Sequence, residues 1–144
     1  MKTRDAEIVF TSRIDSNEQQ PGQLQKTTAR LNGRIGKSAS SLYLTYNDRI
    51  AEGYADYTIR ISGQEALILR KGAMPMRQPL RLGISMDGTY ETAYGVLSTT
   101  ATAEKIETVF DSSTRAGSVR LVYALTMQGQ STGICTLDYH YRLK

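Results

Sequence analysis

The stretch RKGAMPMRQP, residues 70–79, combines residue types that can bind an anion. Two methionines flank Pro75, and Arg77 and Gln78 stand directly before Pro79. Proline cannot donate to a β-ladder and marks a break, a bulge or an edge, whereas methionine fills irregular apolar space. A guanidinium beside such an apolar plug can hold a carboxylate or phosphate headgroup. We therefore predict that this stretch closes or lines one end of a β-barrel.

Other chemical patterns do not occur in the sequence. It has one histidine and one cysteine, and it lacks HExxH, CxxC, GxSxG and GxxxxGK[ST]. Cys135 falls on the apolar side of its segment, so we interpret it as a buried structural thiol. Asp138 and His140 share the other side, which we interpret as a solvated polar face. We expect no enzymatic activity, no cofactor and no metal site.

Apolar and polar residues alternate with a period of two through most of the chain. The clearest segments are EIVFTSRID, SLYLTYND, YADYTIRIS, SVRLVYALTMQG and GICTLDYHYRL. This pattern is typical of antiparallel strands with one buried face and one solvated face. The basic segment LQKTTARLNGR is interpreted as a further strand, and TTATAEKIETVF as two strands that meet near Ala103 and Glu104.

Turn-forming residues separate these segments. Turn signals are NG at 32–33, SG at 62–63, DG at 87–88 and QG at 128–129. The stretch at 16–23 predicts a polar hairpin tip, and the stretch at 47–56 predicts a loop or a short helical turn. Strands then recur at a spacing of roughly ten residues, which is typical of a sandwich or barrel.

These elements predict an all-β protein made of one domain, residues 1–144. We predict a single antiparallel up-and-down β-barrel of about eight to ten strands. A sheet of that size curls, and closing it into a barrel removes its exposed edges. The length of 144 residues is enough to bury one hydrophobic core without disulfides.

Four segments resemble the YwiB-like family of small bacterial proteins. They are LRKGAMPMRQPL, DGTYETAYGVL, VRLVYALTMQGQSTG and the N-terminal MKTRDAEIVFTSRID. The resemblance implies a calycin-type, lipocalin-like β-barrel of unknown function, and it brings no catalytic or ligand residues. The family usually has Phe at the position of Leu80 and Pro-Phe at Ala93 and Tyr94, which would reshape a pocket. The matching positions are Arg70, Gly72, Met76, Arg77, Gln78, Gly88, Tyr90, Thr92, Gly95 and Tyr123.

The first functional hypothesis is a small apolar or anionic ligand inside the barrel, because such barrels can enclose one small molecule. Arg77 and Gln78 would supply its polar contacts. The candidates to line the cavity are Arg70, Tyr90, Tyr94 and Tyr123. The structural alternative is that Arg77 caps the barrel end by donating to carbonyls and packing on an aromatic ring.

The second hypothesis is an interaction module whose outer surface binds a protein or RNA. Its candidate residues are Lys26, Arg30 and Arg34, which share one face of a strand, and the net charge of +4 favours an anionic partner. Nucleic acid is not the expected partner, because the cations are interleaved with acids along the chain. No membrane partner is expected, and the oligomeric state, monomer or homodimer, stays open.

The cytoplasm is the expected compartment. A single cysteine excludes an internal disulfide framework. The sequence shows no apolar run of the length that a signal peptide or a transmembrane helix needs.

Overall fold

Ten antiparallel strands form a closed barrel in the computed structural model, which describes residues 2–16 and 24–144. Each strand lies beside its sequence neighbours, and pairing of β1 with β10 closes the barrel. The predicted antiparallel up-and-down barrel is confirmed. The strands are β1 Lys2–Asp15, β2 Leu24–Lys37, β3 Leu42–Ile50, β4 Gly53–Ser62, β5 Glu65–Gly72, β6 Met76–Arg81, β7 Ser85–Thr92, β8 Gly95–Asp111, β9 Ala116–Met127 and β10 Gln130–Leu143.

The alternation of the sequence places one set of side chains inside the barrel. On β10, Cys135, Tyr139 and Tyr141 are buried, whereas His140 is exposed. Burial of this apolar set drives folding, because the favourable free energy is roughly proportional to the apolar area removed from water. The largest fully buried side chains are Tyr139, Ile8, Leu44, Ile59, Leu80, Leu121 and Val119.

Aromatic side chains fill the middle of the barrel. The ring of Tyr139 stacks on Phe10 with centroids 4.4 Å apart, and the ring of Tyr46 stacks on Tyr57 at 4.8 Å. The hydroxyls of Tyr46 and Tyr139 lie 2.9 Å apart. Because these contacts join β1, β3, β4 and β10, the interior is packed at this level.

The two ends of the barrel carry different connections. We call the end with the connections at 51–52, 73–75, 93–94 and 128–129 the Arg70 end. We call the other the Phe110 end, where Lys2 and Leu143 lie near the connections at 38–41, 63–64, 82–84 and 112–115. The hairpin tip predicted at 16–23 lies outside the described residues except for Ser16.

Two of the four turn signals are confirmed and two are wrong. In SG, the serine ends β4 and the glycine begins the turn after it, and the QG residues form the turn after β9. Gln128 and Gly129 both have positive φ, 52° and 79°. The residues NG, however, lie inside β2 and DG inside β7. A Cβ atom on Gly33 would lie 2.6 Å from Cδ1 of Ile8, so close strand packing, not turn geometry, requires that glycine.

Two further segments differ from their predictions. The loop expected at 47–56 shrinks to a two-residue turn at 51–52, because β3 and β4 continue on either side. The segment TTATAEKIETVF is one strand, β8, and not two. Its register against β9 shifts between Ala103 and Lys105, so Glu104 forms a β-bulge where two strands were expected to meet.

Candidate functional site

Arg70 points into the barrel at the Arg70 end. Ala66 and Ile68 are buried on the same strand, and the period of two places Arg70 on their face. Its guanidinium carbon lies 5.0 Å from the centroid of the Tyr90 ring and 5.8 Å from that of Tyr57. Two aromatic rings therefore flank one cation at this end of the barrel.

The hydrogen bonds of Arg70 leave one nitrogen without an acceptor. Nε donates to the carbonyl of Met74 at 2.6 Å, and Nη1 donates to the hydroxyl of Tyr57 at 3.5 Å. Nη2 is buried and makes no hydrogen bond of good geometry with residues 2–16 and 24–144, although the Tyr90 hydroxyl is close enough to interact with the guanidinium. A buried donor without a partner is uncommon in proteins, so the environment of Nη2 needs an explanation.

The charge of Arg70 is maintained in this environment. Burial of the guanidinium lowers its pKa, but interactions with the hydroxyls of Tyr57 and Tyr90 more than compensate, and the pKa lies above its ordinary value. Arg70 is therefore a full cation at any physiological pH. The arrangement can attract an anion and can offer it a planar donor group.

Two residues predicted to line the interior lie outside it. Arg77 is exposed on the outer face of β6, because its neighbour Gln78 takes the inward position. Tyr94 stands in the turn between β7 and β8 and is 100% exposed. The inward placement of Arg77 and Tyr94 is therefore wrong. Arg70, which bonds a loop carbonyl and packs on tyrosines, has the contacts that the capping alternative gave to Arg77.

Gln78 lies inside and serves as a bridge between strands. Pairing of β6 with β7 covers only Met76 and Arg77. Beyond that point the amide of Gln78 donates to the carbonyls of Pro79 at 2.8 Å and Met86 at 3.2 Å. Its Oε1 accepts from the hydroxyl of Thr99 at 2.5 Å. Its polar atoms are thus engaged in joining strands, and they leave no free group for a ligand.

Tyr123 and Cys135 form a second buried pair, on β9 and β10. They are register partners, and both are buried. Burial raises the pKa of the Cys135 thiol to about 11, despite an opposing hydrogen bond with Tyr123. Burial likewise raises the pKa of Tyr123. The predicted burial of Cys135 is confirmed, and Tyr123 contacts this thiol within the core instead of joining the rings around Arg70.

An open groove of about 610 Å³ lies where β2 and β3 separate. Only the segments 33–37 and 42–46 of these strands pair, so the edge of β2 at 24–32 is left open within the described chain. Tyr46 and Tyr57 line the groove from the barrel side. The groove therefore reaches the same tyrosines that stack beneath Arg70.

The basic stripe of β2 is only partly free. Lys26, Arg30 and Arg34 are all exposed on the outer face, as the alternation predicted. Arg34, however, pairs with Asp5 across β1, with Nε 3.3 Å from Oδ1. The Asp5 carboxylate partly neutralises the charge of Arg34, so most of the net positive charge of the stripe lies at Lys26 and Arg30.

The described residues form neither a metal site nor a membrane-spanning helix. No group of three or more His, Cys, Asp and Glu side chains in this part of the chain has the arrangement of a metal site. Nor does this part contain a helix of the length and apolarity needed to cross a membrane.

The chain matches a known protein family and a known structure. A family model described as "Domain of unknown function (DUF1934)" matches residues 8–138. The chain belongs to this family. The DUF1934 barrel is similar to the crystal structure of the ywiB protein from Bacillus subtilis, with a TM-score of 0.81 and 19% identity over 99% of this chain and 93% of that chain. Both findings confirm the YwiB-like resemblance and its fold. Among proteins with curated descriptions, none matches the chain.

Proposed function

We propose that this DUF1934 protein binds a small anion at the Arg70 end of its barrel. The observation that carries the proposal is the buried Nη2 of Arg70, which makes no hydrogen bond of good geometry in the described part of the chain. Leaving a buried donor unpaired costs on the order of 1–3 kcal/mol, and more on a charged group. A carboxylate or phosphate oxygen on Nη2 would recover that free energy.

The neighbours of Arg70 favour an anion with a small apolar body. Met76 is the register partner of Arg70 and of Tyr90, so it lies between them on the inner face. Its thioether adapts to irregular shapes, and it packs against the hydrophobic core. The anionic group would contact the guanidinium, and the apolar body would contact Met76 and the tyrosine rings.

Entry to this site requires a movement of the loop at 73–75, because Nη2 is buried. Met74 in that loop has φ 52°, a left-handed conformation that costs a non-glycine residue roughly 1–2 kcal/mol. The bond from Nε of Arg70 to the Met74 carbonyl opposes that cost. An anion that reorients the guanidinium would therefore release a strained loop.

Native mass spectrometry of the gently purified protein, compared with its denatured mass, tests the proposal. We expect the wild type to carry extra mass, or to take up added octanoate, and Arg70→Met to lose both. Arg77→Met is the matched control, because it removes an exposed arginine from the outer face. Binding that survives in Arg70→Met, or fails equally in Arg77→Met, would refute the site.

A second candidate function is docking of a protein partner on the outer face of β2. It is supported by the edge of β2 at 24–32, which pairs with no residue of β3 in the described chain and lies beside the exposed cations Lys26 and Arg30. An extended acidic peptide can add to such an edge through main-chain hydrogen bonds. Substituting both cations with Gln should weaken capture of an acidic partner while octanoate binding is unchanged. If this face captured RNA and no acidic protein, the proposed partner would be wrong.

We place this activity in the cytoplasm. The single cysteine of the chain, Cys135, supports that choice, because small secreted domains usually depend on disulfides. Fractionation of cells that express the tagged full-length chain would test the location.

A further inference from the structure

Three cations surround an apolar cleft at the Phe110 end, opposite Arg70. The cleft has a volume of about 200 Å³. No acidic side chain lines it within the described part of the chain. The cations are Lys2, Arg4 and Lys37, and the apolar lining residues are Ile35, Phe110, Tyr141 and Leu143.

The strand periodicity brings these cations to the mouth of the barrel. Ala6 on β1 is fully buried, and Lys2 and Arg4 precede it by four and two residues, on the same inward face. On β2, Ile35 is buried and Lys37 follows it by two residues. Each cation therefore continues the inward-facing set of its strand beyond the filled core.

Within the described residues, the charges of these side chains are not balanced by acidic partners. Lys2 and Lys37 are direct register partners, and like charges at such positions repel. No carboxylate among the described residues forms an ion pair with Lys2, Arg4 or Lys37. Nζ of Lys37 lies 4.7 Å from the centroid of the Phe110 ring, which fixes its position above the apolar lining. An anion between these cations would remove the repulsion.

The aromatic side of the cleft is built to be flat. The rings of Phe110 and Tyr141 are nearly parallel, at 15°, with centroids 6.4 Å apart. Tyr141 is buried, whereas Phe110 is 40% exposed. Gly117 makes room for this arrangement, because a Cβ atom there would collide with the ring of Tyr141. The exposed ring of Phe110 therefore packs against the buried ring of Tyr141, beside the cations.

We propose that this cleft binds a second small molecule, an anion with a flat apolar body such as an aryl phosphate. Its volume is below the roughly 300–1,000 Å³ typical of pockets for drug-sized ligands, so a single ring fits the space better than a long chain. The anionic group would lie among Lys2, Arg4 and Lys37, with the ring against Phe110. This site is separate from the Arg70 site and does not depend on it.

Titration of the full chain with phenyl phosphate, followed by backbone amide NMR shifts, tests the proposal. We expect shifts at 2–4, 35–37, 108–111 and 141–143, and about tenfold weaker binding in Lys37→Gln. We expect inorganic phosphate to bind more weakly than phenyl phosphate, because it has no ring. Phe110→Ala should weaken the binding of phenyl phosphate and leave the binding of inorganic phosphate unchanged. Arg142→Gln is the matched control, because Arg142 lies between Tyr141 and Leu143 but is exposed on the outer face.

Three outcomes would overturn the proposal. Absence of saturable shifts at the cleft residues of the wild type would exclude the site. Equal weakening by Arg142→Gln and Lys37→Gln would show a diffuse charge effect instead of a built cleft. Equal affinity for phenyl phosphate and inorganic phosphate would remove the role of Phe110. Arg70→Met should leave the phenyl phosphate shifts at the cleft residues unchanged, even if it removes shifts near Arg70, so a failure at this cleft is distinguishable from a failure at the Arg70 end.

Discussion

The hydroxyls of Tyr46 on β3 and Tyr139 on β10 lie 2.9 Å apart inside the barrel, although 93 residues separate them in the chain. The bond crosses the interior and joins two strands that are not neighbours in the sheet. Burial and this mutual contact raise the pKa of Tyr139 well above its ordinary value. Because each hydroxyl satisfies the other, two buried phenols are tolerated in an otherwise apolar core.

Removing one member of this pair should destabilise the protein more than removing both. Tyr139→Phe leaves the hydroxyl of Tyr46 buried without its partner, which should cost about 1–3 kcal/mol. The double variant with Tyr46→Phe should regain part of that loss, since neither unpaired group remains. Urea unfolding of the four proteins would measure the coupling. Strictly additive losses would show that the two hydroxyls act independently.

The stability of the barrel should fall as pH rises above 9, with Cys135 as the first contributor. Its thiol has a pKa of about 11 in the folded protein against an ordinary value of 9.0. Below pH 9 the thiol is protonated in both states, and between 9 and 11 only the unfolded chain loses the proton. This linkage removes on the order of 3 kcal/mol.

Comparing Cys135→Ala with the wild type isolates that contribution. The variant should be less stable at pH 7, because a small cavity replaces the sulfur, but its stability should fall less between pH 9 and 11. Buried tyrosines contribute only above their ordinary value of 10.0, so the interval from pH 9 to 10 isolates the thiol; above it, burial, the main cause of their raised pKa, remains in the variant. Parallel pH profiles for the two proteins would contradict the raised thiol pKa.

Gln78, not its neighbour Arg77, should determine the stability of β6. Gln78→Leu removes the contacts to two carbonyls and leaves the hydroxyl of Thr99 buried, so we expect a loss of about 2 kcal/mol or more. Arg77→Ala changes an exposed side chain and should stay within about 0.5 kcal/mol. Thermal melts of both variants would check this. A larger loss in Arg77→Ala would reverse the assignment.

Gly33→Ala should be destabilising although the residue is within a strand. The added Cβ would meet the carbonyl oxygen of Thr45 and Cδ1 of Ile8, and Ile8 is fully packed in the core. Such overpacking costs typically about 1–3 kcal/mol. Thr28→Ala, on the exposed face of the same strand, is the control and should change stability by less than about 0.5 kcal/mol. Chemical denaturation would measure both.

Part of the candidate site was predictable from sequence, because strand parity alone decides which side chains share a face. The same parity that placed Cys135 and Tyr139 inside also places Arg4 and Lys37 on inward faces, a signal that the search for chemical motifs missed. Arg77 was misplaced because the motif suggested a ligand contact, whereas parity with the buried Gln78 and Leu80 puts it outside. Applied to every cation, parity would have placed Lys2, Arg4 and Lys37 on inward faces, but it would not have brought them together.

The positions of the glycines show where sequence rules fail. The dipeptide DG at 87–88 has the composition of a turn, yet Gly88 lies within β7. Glycine is needed there because Gln78 and Thr99 leave no room for a Cβ atom. A turn and a close strand contact both demand glycine, for different physical reasons. Composition cannot distinguish them, because the second reason depends on a residue brought near by folding.

The sequence by itself determined the strand content and the inward face of most strands, because the alternation of apolar residues acts locally along each strand. The barrel was expected from the number of strands and from the family resemblance. The sequence also determined the burial of the lone thiol. Only the tertiary structure decided that Arg70 lies between Tyr57 and Tyr90, that Tyr46 meets Tyr139, and that three cations converge near Phe110. These contacts depend on register and closure, which bring together residues far apart in the chain, and no local pattern encodes those distances.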